Sequence, residues 1–311
     1  MKLIYCGTPQ FAVPSLQALV AAGHEVRLVV TQPDRPKGRG MEMAASPVKQ
    51  AALALGLPVA QPEKIKLNAE FRAQLEAIAP EAIIIVGYGR IIPGWMLDLP
   101  AHGNINLHAS LLPKYRGAAP IQWAIASGET VTGNTTMRID AGLDTGDILL
   151  QREMAIAGED TSVTLAPRLA AMGAELLVET VAALAAGSIT ARPQNHAEAT
   201  LAPILTREDG RVDFSHTAVE INNRLRGFQP WPAAFTTFRK RQLTLHAIHL
   251  ATNAPTLAPG EIAARDGHLF AGCGSHTAIE IFELQPEGKR RVTTVEWING
   301  YQPKPGERFG E

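Results

Sequence analysis

The first part of the chain alternates short apolar runs with stretches of helical period. KLIYC (2–6) and EVRLVV (25–30) read as strands, with a helix over 10–22 between them, closed by Gly23. SPVKQAALALG (46–56) predicts a second helix, with Ser46 placed to cap it and Pro47 in its first turn, where a missing N–H costs little. A helix near 68–78 leads into EAIIIVG (81–87), an unbroken apolar run suited to a strand covered on both faces. NINLH (104–108) follows. This order predicts an α/β fold with a parallel, doubly wound sheet.

Further along, TGNTTMRID (132–140) and ILLQREMAI (148–156) read as a hairpin joined by AGLDTGD. Residues 161–187 read as a long Ala/Leu helix interrupted near Pro167. Residues 188–208 carry Pro193 and Pro203 without a clear period and read as a linker. After them come AAFTTF, QLTLHAIHL, HLFAGC and TAIEIFEL, strand-like runs without long helical patterns. The expected organisation is a catalytic α/β domain over 1–187 and a smaller β-rich domain over 209–311.

A length of 311 residues fits two domains. The formal net charge of -1 gives no global field towards nucleic acid or membrane, so any polyanion contact has to be local. One such patch lies over 207–241, where Arg207, Arg211, Arg224, Arg226, Arg239, Lys240 and Arg241 outnumber Glu208, Asp209, Asp213 and Glu220. Cys6 and Cys273 provide neither a disulfide framework nor zinc spacing. The apolar start around Leu3–Cys6 is too short for a signal peptide, and no uncharged apolar run approaches about eighteen residues, so a cytoplasmic location is expected.

Several motifs carry candidate chemistry. CGTPQFAVPSL follows the first strand but holds only Gly7, so a dinucleotide pyrophosphate loop is not expected. TQPDRPKGRG (31–40) reads as a polar loop whose Arg35, Lys37 and Arg39 form a small basic arm able to meet phosphates, or simply a solvated connection. In NINLH, Asn106 and His108 are two apart and point to the same side of a strand, at the carboxyl end where open parallel sheets bind ligands. Asp140, Asp144 and Asp147 follow the next strand in a Gly-rich loop. One of them can hydrogen-bond an imidazole; together they are a weak divalent-metal signal or a plain turn. His246 and His249 would face opposite ways on a strand and are not a metal pair.

INLHASLLPKYRGAAPIQWAI with GNTTMRIDAGLDTGDIL resembles the formyltransferase family that uses 10-formyltetrahydrofolate. The DRPKGRG arm and GFQPWPAAF are similar to its tRNA-specific branch over almost the whole chain; the linker and the end beyond Arg308 diverge. The resemblance implies a Rossmann-like domain followed by an OB-like β-barrel. It implies catalytic Asn106, His108 and Asp144, a folate site lined by Ser110, Leu111, Leu112 and Pro113, and tRNA contact through Arg35, Lys37 and Arg39. The implied co-substrate is 10-formyltetrahydrofolate, the partner is methionyl-initiator-tRNA, and no metal or membrane is needed; a monomer is expected. The competing readings are a folate-dependent formyltransferase acting on a nucleotide or amino-sugar amine, which needs no basic arm, and a non-catalytic RNA-binding protein, against which the intact trio argues.

Overall fold

Along the chain, β1 (Lys2–Gly7), α1 (Val13–Ala21) and β2 (Glu25–Val30) are followed by a small hairpin, β3 (Arg35–Lys37) with β4 (Glu42–Ala44). Then come α2 (Pro47–Ala54), β5 (Val59–Ala60), α3 (Ala69–Ile78), β6 (Ala82–Val86), α4 (Gly94–Leu97), β7 (Asn104–His108), β8 (Arg116–Gly117) and α5 (Pro120–Ala126). β9 (Val131–Arg138), β10 (Ile148–Ala155), α6 (Ser162–Ala185) and β11 (Leu201–Ala202) complete this part. These elements belong to a computed structural model that describes residues 1–37 and 41–311. The chain divides into two units, the first formed by Met1–Pro120, Val131–Ala155 and Ala166–Ala202.

The first unit is built on a seven-stranded sheet of order β10-β9-β7-β6-β1-β2-β5. β5, β2, β1, β6 and β7 are parallel, whereas β9 and β10 run antiparallel at one side. The chain steps outward from β1 to β2 and β5, then returns to β6 on the other side, which makes β1/β6 the switch point of a Rossmann-like sheet. Alternation explains the apolar strands. Leu3, Tyr5, Ile84, Val86, Ile105 and Leu107 pack with Leu16 and Leu19 of α1 and Leu177 and Val181 of α6. Ile4, Cys6, Leu28, Ile83 and Ile85 take the opposite face, with Phe71 and Leu75 of α3 and Met96 of α4. The polar residues of β9 do not point at water. Asn134 donates to the Leu169 carbonyl at 2.7 Å, and the Thr136 and Thr180 hydroxyls meet at 2.8 Å.

Two expectations change here. α6 is not interrupted: it keeps Pro167 inside. Proline removes one N–H from the ladder, and burial of Leu165 and Leu169 on either side offsets that loss. Residues up to Ala202, expected in a linker over 188–208, group with the first unit. β11 pairs in parallel with β8, Leu201 opposite Arg116 and Ala202 opposite Gly117, and Arg192 bridges to Ile148.

The second unit consists of Ile121–Thr130, Ile156–Leu165 and Pro203–Glu311. It contains α7 (Ala218–Gly227), β12 (Ala234–Phe238), β13 (Arg241–Leu250), β14 (Ile262–Arg265), β15 (His268–Gly272), β16 (Ala278–Pro286), β17 (Val292–Thr293) and α8 (Thr294–Tyr301). The strands form an antiparallel, OB-like sheet of order β12-β13-β16-β15-β14, with β17 on β16. Leu243, Leu245, Ile279, Ile281 and Leu284 pack beneath Ile221 and Leu225 of α7 and Trp297 of α8. Both helices begin with a capping box, Thr217 with Glu220 and Thr293 with Glu296. The two earlier segments are integral to this core. Arg226 donates to the Asp160 carbonyl at 2.7 Å, and the Trp123 ring meets Phe228 edge-on at 5.2 Å. His246 bonds Gln285 while His249 lies against Phe282, so the two imidazoles serve separate neighbours. Among the described residues no helix is long and apolar enough to cross a membrane.

Candidate active site

β7 sends Ile105 and Leu107 into the core, which leaves Asn104, Asn106 and His108 on its other side. The three have different environments. Asn104 is buried and donates to the carbonyls of Met96 and Leu97 at 2.9 and 3.0 Å, anchoring α4. Asn106 is half-buried, and its carboxamide has no hydrogen-bond partner among the described residues. His108 ends the strand and is buried, with Nε2 2.8 Å from the Tyr115 carbonyl. A carbonyl only accepts, so Nε2 carries the proton and Nδ1 is the nitrogen open to proton exchange. Nδ1 faces Asp144 Oδ2 at 3.8 Å, a gap longer than a direct hydrogen bond.

The loop after β9 presents Asp144 in a left-handed conformation, φ 52°. Its Oδ2 accepts the Gly117 N–H at 2.8 Å. Gly117 itself has φ 123°, and a Cβ there would lie 2.5 Å from the Ala202 carbonyl oxygen, so only glycine fits. Asp140 does not join Asp144. Its Oδ1 accepts from Gly142 N at 2.9 Å and Thr145 Oγ1 at 2.7 Å, closing its own turn. Among the described residues no three His, Cys, Asp or Glu side chains converge as a metal-holding group.

The four residues of the SLLP loop, expected to line a folate, have different environments. Ser110 is fully buried and donates to the Lys114 carbonyl at 2.6 Å. Leu112 turns into a small cluster with Met137 and Ile148. Thr135 Oγ1 donates to the Ser110 carbonyl at 2.7 Å, and Gln151 donates to that of Leu112 at 2.9 Å. Ser110 and Leu112 therefore hold the loop from within, and Leu111 and Pro113 remain half-buried at its surface. The reason is ordinary: a loop crossing a sheet edge buries alternate side chains to pay the cost of ordering its backbone.

Two residues that pattern reading passes over meet here. Arg116 is buried, with Nε and Nη2 3.1 and 2.6 Å from Gln194 Oε1. Gln194 Nε2 in turn donates to the carbonyls of Asp144 at 2.9 Å and Gly146 at 2.7 Å. Arg116 lies within the INLHASLLPKYRGAAPIQWAI stretch that carries the family resemblance, but Gln194 lies in a segment with no periodicity to mark it. The thiols are excluded as nucleophiles. Burial pushes Cys6 well up and Cys273 up to about 11, so both stay protonated at neutral pH.

The described part of the basic arm, up to residue 37, ends in a strand. Arg35 and Lys37 lie on β3, paired opposite Ala44 and Glu42 of β4. Arg39 lies outside the described residues. At the arm's base Asp34 accepts from Lys49 Nζ at 2.6 Å and Gln61 Nε2 at 2.7 Å, and the Thr31 and Ser46 hydroxyls meet at 2.7 Å. Hydrogen bonds from Lys49 and then Gln61 hold the Asp34 carboxyl below its ordinary range. Such a group supports the arm above the ordinary carboxylate range and loses that support as pH falls through its lowered value. Lys49→Met is expected to move the Asp34 titration, followed by carbon-13 NMR, back upward. An Asp34 titration identical in wild type and variant would rule out the clasp.

A Rossmann-like sheet with an Asn-x-His pair at a strand end, an opposing Asp and an added antiparallel β unit is the frame of a group-transfer enzyme. The formyl transferase family model matches residues 1–181, and that of the formyl transferase C-terminal domain matches residues 204–302. A methionyl-tRNA formyltransferase of Koribacter versatilis is 67% identical over 310 residues, covering 100% of this chain and 99% of the relative. One of Acidobacterium capsulatum is 64% identical, with 100% of each chain covered. In fold, the N-formyltransferase of Helicobacter canadensis, solved in complex with folinic acid and dTDP-3-aminofucose, aligns with a TM-score of 0.67 at 19% identity, covering 92% of this chain and 99% of that one. The chain belongs to the formyl transferase family, in its methionyl-tRNA formyltransferase branch.

Proposed function

We propose that the protein transfers the formyl group of 10-formyltetrahydrofolate to the α-amino group of methionyl-initiator-tRNA, the modification that prepares this tRNA for translation initiation. The observation that carries this reading is full-length identity of 67% to a methionyl-tRNA formyltransferase. The unengaged Asn106 carboxamide beside an imidazole fixed by Tyr115 agrees with it.

The amine nitrogen attacks the formyl carbon, a C–N bond forms, and negative charge grows on the formyl oxygen. Asn106 donates an amide N–H to that oxygen. The bond from carbon to the folate N10 then breaks, N10 takes up a proton, and the former amine gives one up. His108 moves a proton at Nδ1, and the Asp144 carboxylate faces the imidazolium while it exists. The folate lies against Leu111 and Pro113, on a loop that Ser110 and Leu112 hold from within. Arg35, Lys37 and Arg39 meet phosphates near the acceptor end of the tRNA. No step uses a metal ion.

The test is acceptor choice. The purified protein with 10-formyltetrahydrofolate is expected to formylate methionyl-initiator-tRNA and to leave sugar-nucleotide and ribonucleotide amines untouched. Formylation of a small amine with none of the tRNA would overturn the reading.

A further inference from the structure

We propose that Gln194 is a positioning residue for formyl transfer: held by Arg116, it fixes the loop that sets Asp144 against His108. This rests on the function proposed above and extends it to a segment outside the recognised motifs.

The argument begins with hydrogen-bond polarity. Gln194 is buried and uses both ends of its amide. Arg116 donates through Nε and Nη2 to Oε1, and a guanidinium has no acceptor, so the amide cannot flip. Nε2 is thereby forced towards the carbonyls of Asp144 and Gly146, where it donates to both. Asp144 is thus held twice, by its backbone oxygen through Gln194 and by its carboxylate through the Gly117 N–H. Arg116 also reaches His196 Nδ1 at 3.1 Å, which ties the guanidinium to the same segment.

That segment runs along the catalytic loop like a strap. Thr200 accepts the Arg116 N–H through its carbonyl at 2.9 Å, and its hydroxyl accepts the Tyr115 N–H at 2.9 Å. Ala202 receives the Ala119 N–H at 3.2 Å. Tyr115 supplies the carbonyl bonded to His108, and Gly117 supplies the N–H bonded to Asp144. The strap therefore places the partners of both side chains at once. Gln194 joins the two loops, with Arg116 on one side and the carbonyls of Asp144 and Gly146 on the other. Positioning of this kind matters because a reacting group displaced by about 1 Å can lose ~10²-fold in rate.

Gln194→Glu separates positioning from bulk. The substitution keeps size and strengthens the bond to Arg116, but turns a carboxylate oxygen against two carbonyl oxygens. It is expected to lower kcat for methionyl-tRNA by roughly ten- to a hundred-fold with KM little changed. Amide hydrogen exchange should report lost protection at Gly117 with β7 unaffected. In an Asp144→Ala background the same substitution should cost nothing further, because the loop it positions no longer carries the carboxylate. Wild-type kcat with unchanged Gly117 protection overturns the proposal, as does an equal loss in both backgrounds. If Gln194→Glu does not fold, Arg116→Lys carries the test, with the same pattern at smaller amplitude. A wild-type protein without formyl transfer removes the proposed function, whereas unchanged exchange at Gly117 in Gln194→Glu removes the positioning role alone.

Discussion

Asn106→Ala and His108→Ala should each lower the turnover of methionyl-tRNA formylation by ~10²-fold or more, the scale for losing one preorganised donor at a developing oxyanion. The fold should tolerate both changes. The Asn106 carboxamide makes no hydrogen bond among the described residues, and His108 sits at the last position of its strand, beyond the packed Ile105 and Leu107. Folate affinity should change little, since the surface of the loop at Leu111 and Pro113 is untouched. Single-turnover transfer under saturating formyl donor is the measurement, because product release cannot mask chemistry there. Either variant turning over at near-wild-type rate would strip that side chain of its role. The pair Asp144→Asn and His108→Ala sharpens the test. If the carboxylate acts through the imidazole, the double variant should be no slower than His108→Ala, whereas multiplying losses would place Asp144 on the substrate.

The second large effect concerns the arm. Replacing Arg35, Lys37 and Arg39 together with alanine should lower kcat/KM for methionyl-tRNA by on the order of tenfold or more at low salt, and flatten its log–log salt dependence by roughly two. Phosphate contacts release counterions on binding, so their removal is felt most where salt is scarce. Folate affinity, measured by titration, should stay the same. β3 pairs with β4 through backbone bonds, and the Asp34 clasp lies at the base, so the pairing of the two strands needs none of these side chains. Equal loss of tRNA and folate use would mean that the arm supports the site as a whole. Unaltered kcat/KM at every salt concentration would mean that it carries no tRNA contact.

Much of the sheet was legible because burial on both faces demands unbroken apolar strands, as in β6, or strict alternation, as in β7. Ser46 as a cap and Pro47 in the first turn were legible for the same local reason: the hydroxyl accepts from Lys49 N at 3.0 Å. Asn106 and His108 stood out as polar groups in phase at a strand end. What was hidden lacked a period. β3 is three residues long and includes Pro36, so its pairing depends on the partner strand rather than on its own pattern. Pro167 read as a break because local geometry disfavours it, while packing on either side decides the outcome. Ser110 and Leu112 could be placed in the loop but not turned inward without knowledge of Thr135 and Met137. Gln194 was the least legible, since its importance comes from two loops distant in sequence.

The make-up of the second unit bears on how such chains can be cut and recombined. A gene fragment beginning at residue 203 would encode every strand of the OB-like sheet, yet not the whole of its core. It would lack the Trp123 indole that lies against Phe228, and the Asp160 carbonyl that receives Arg226. The guanidinium of Arg224 would lose one of its two aromatic neighbours, the Trp123 ring 5.9 Å away, and keep Phe228 at 5.1 Å. A module lifted out at that point would carry an uncovered Phe228 ring and an Arg226 held only through Asn223, and would serve poorly as a portable part. Exchange between relatives is therefore constrained to move the threaded segments with it, so the two halves are inherited as one piece of protein.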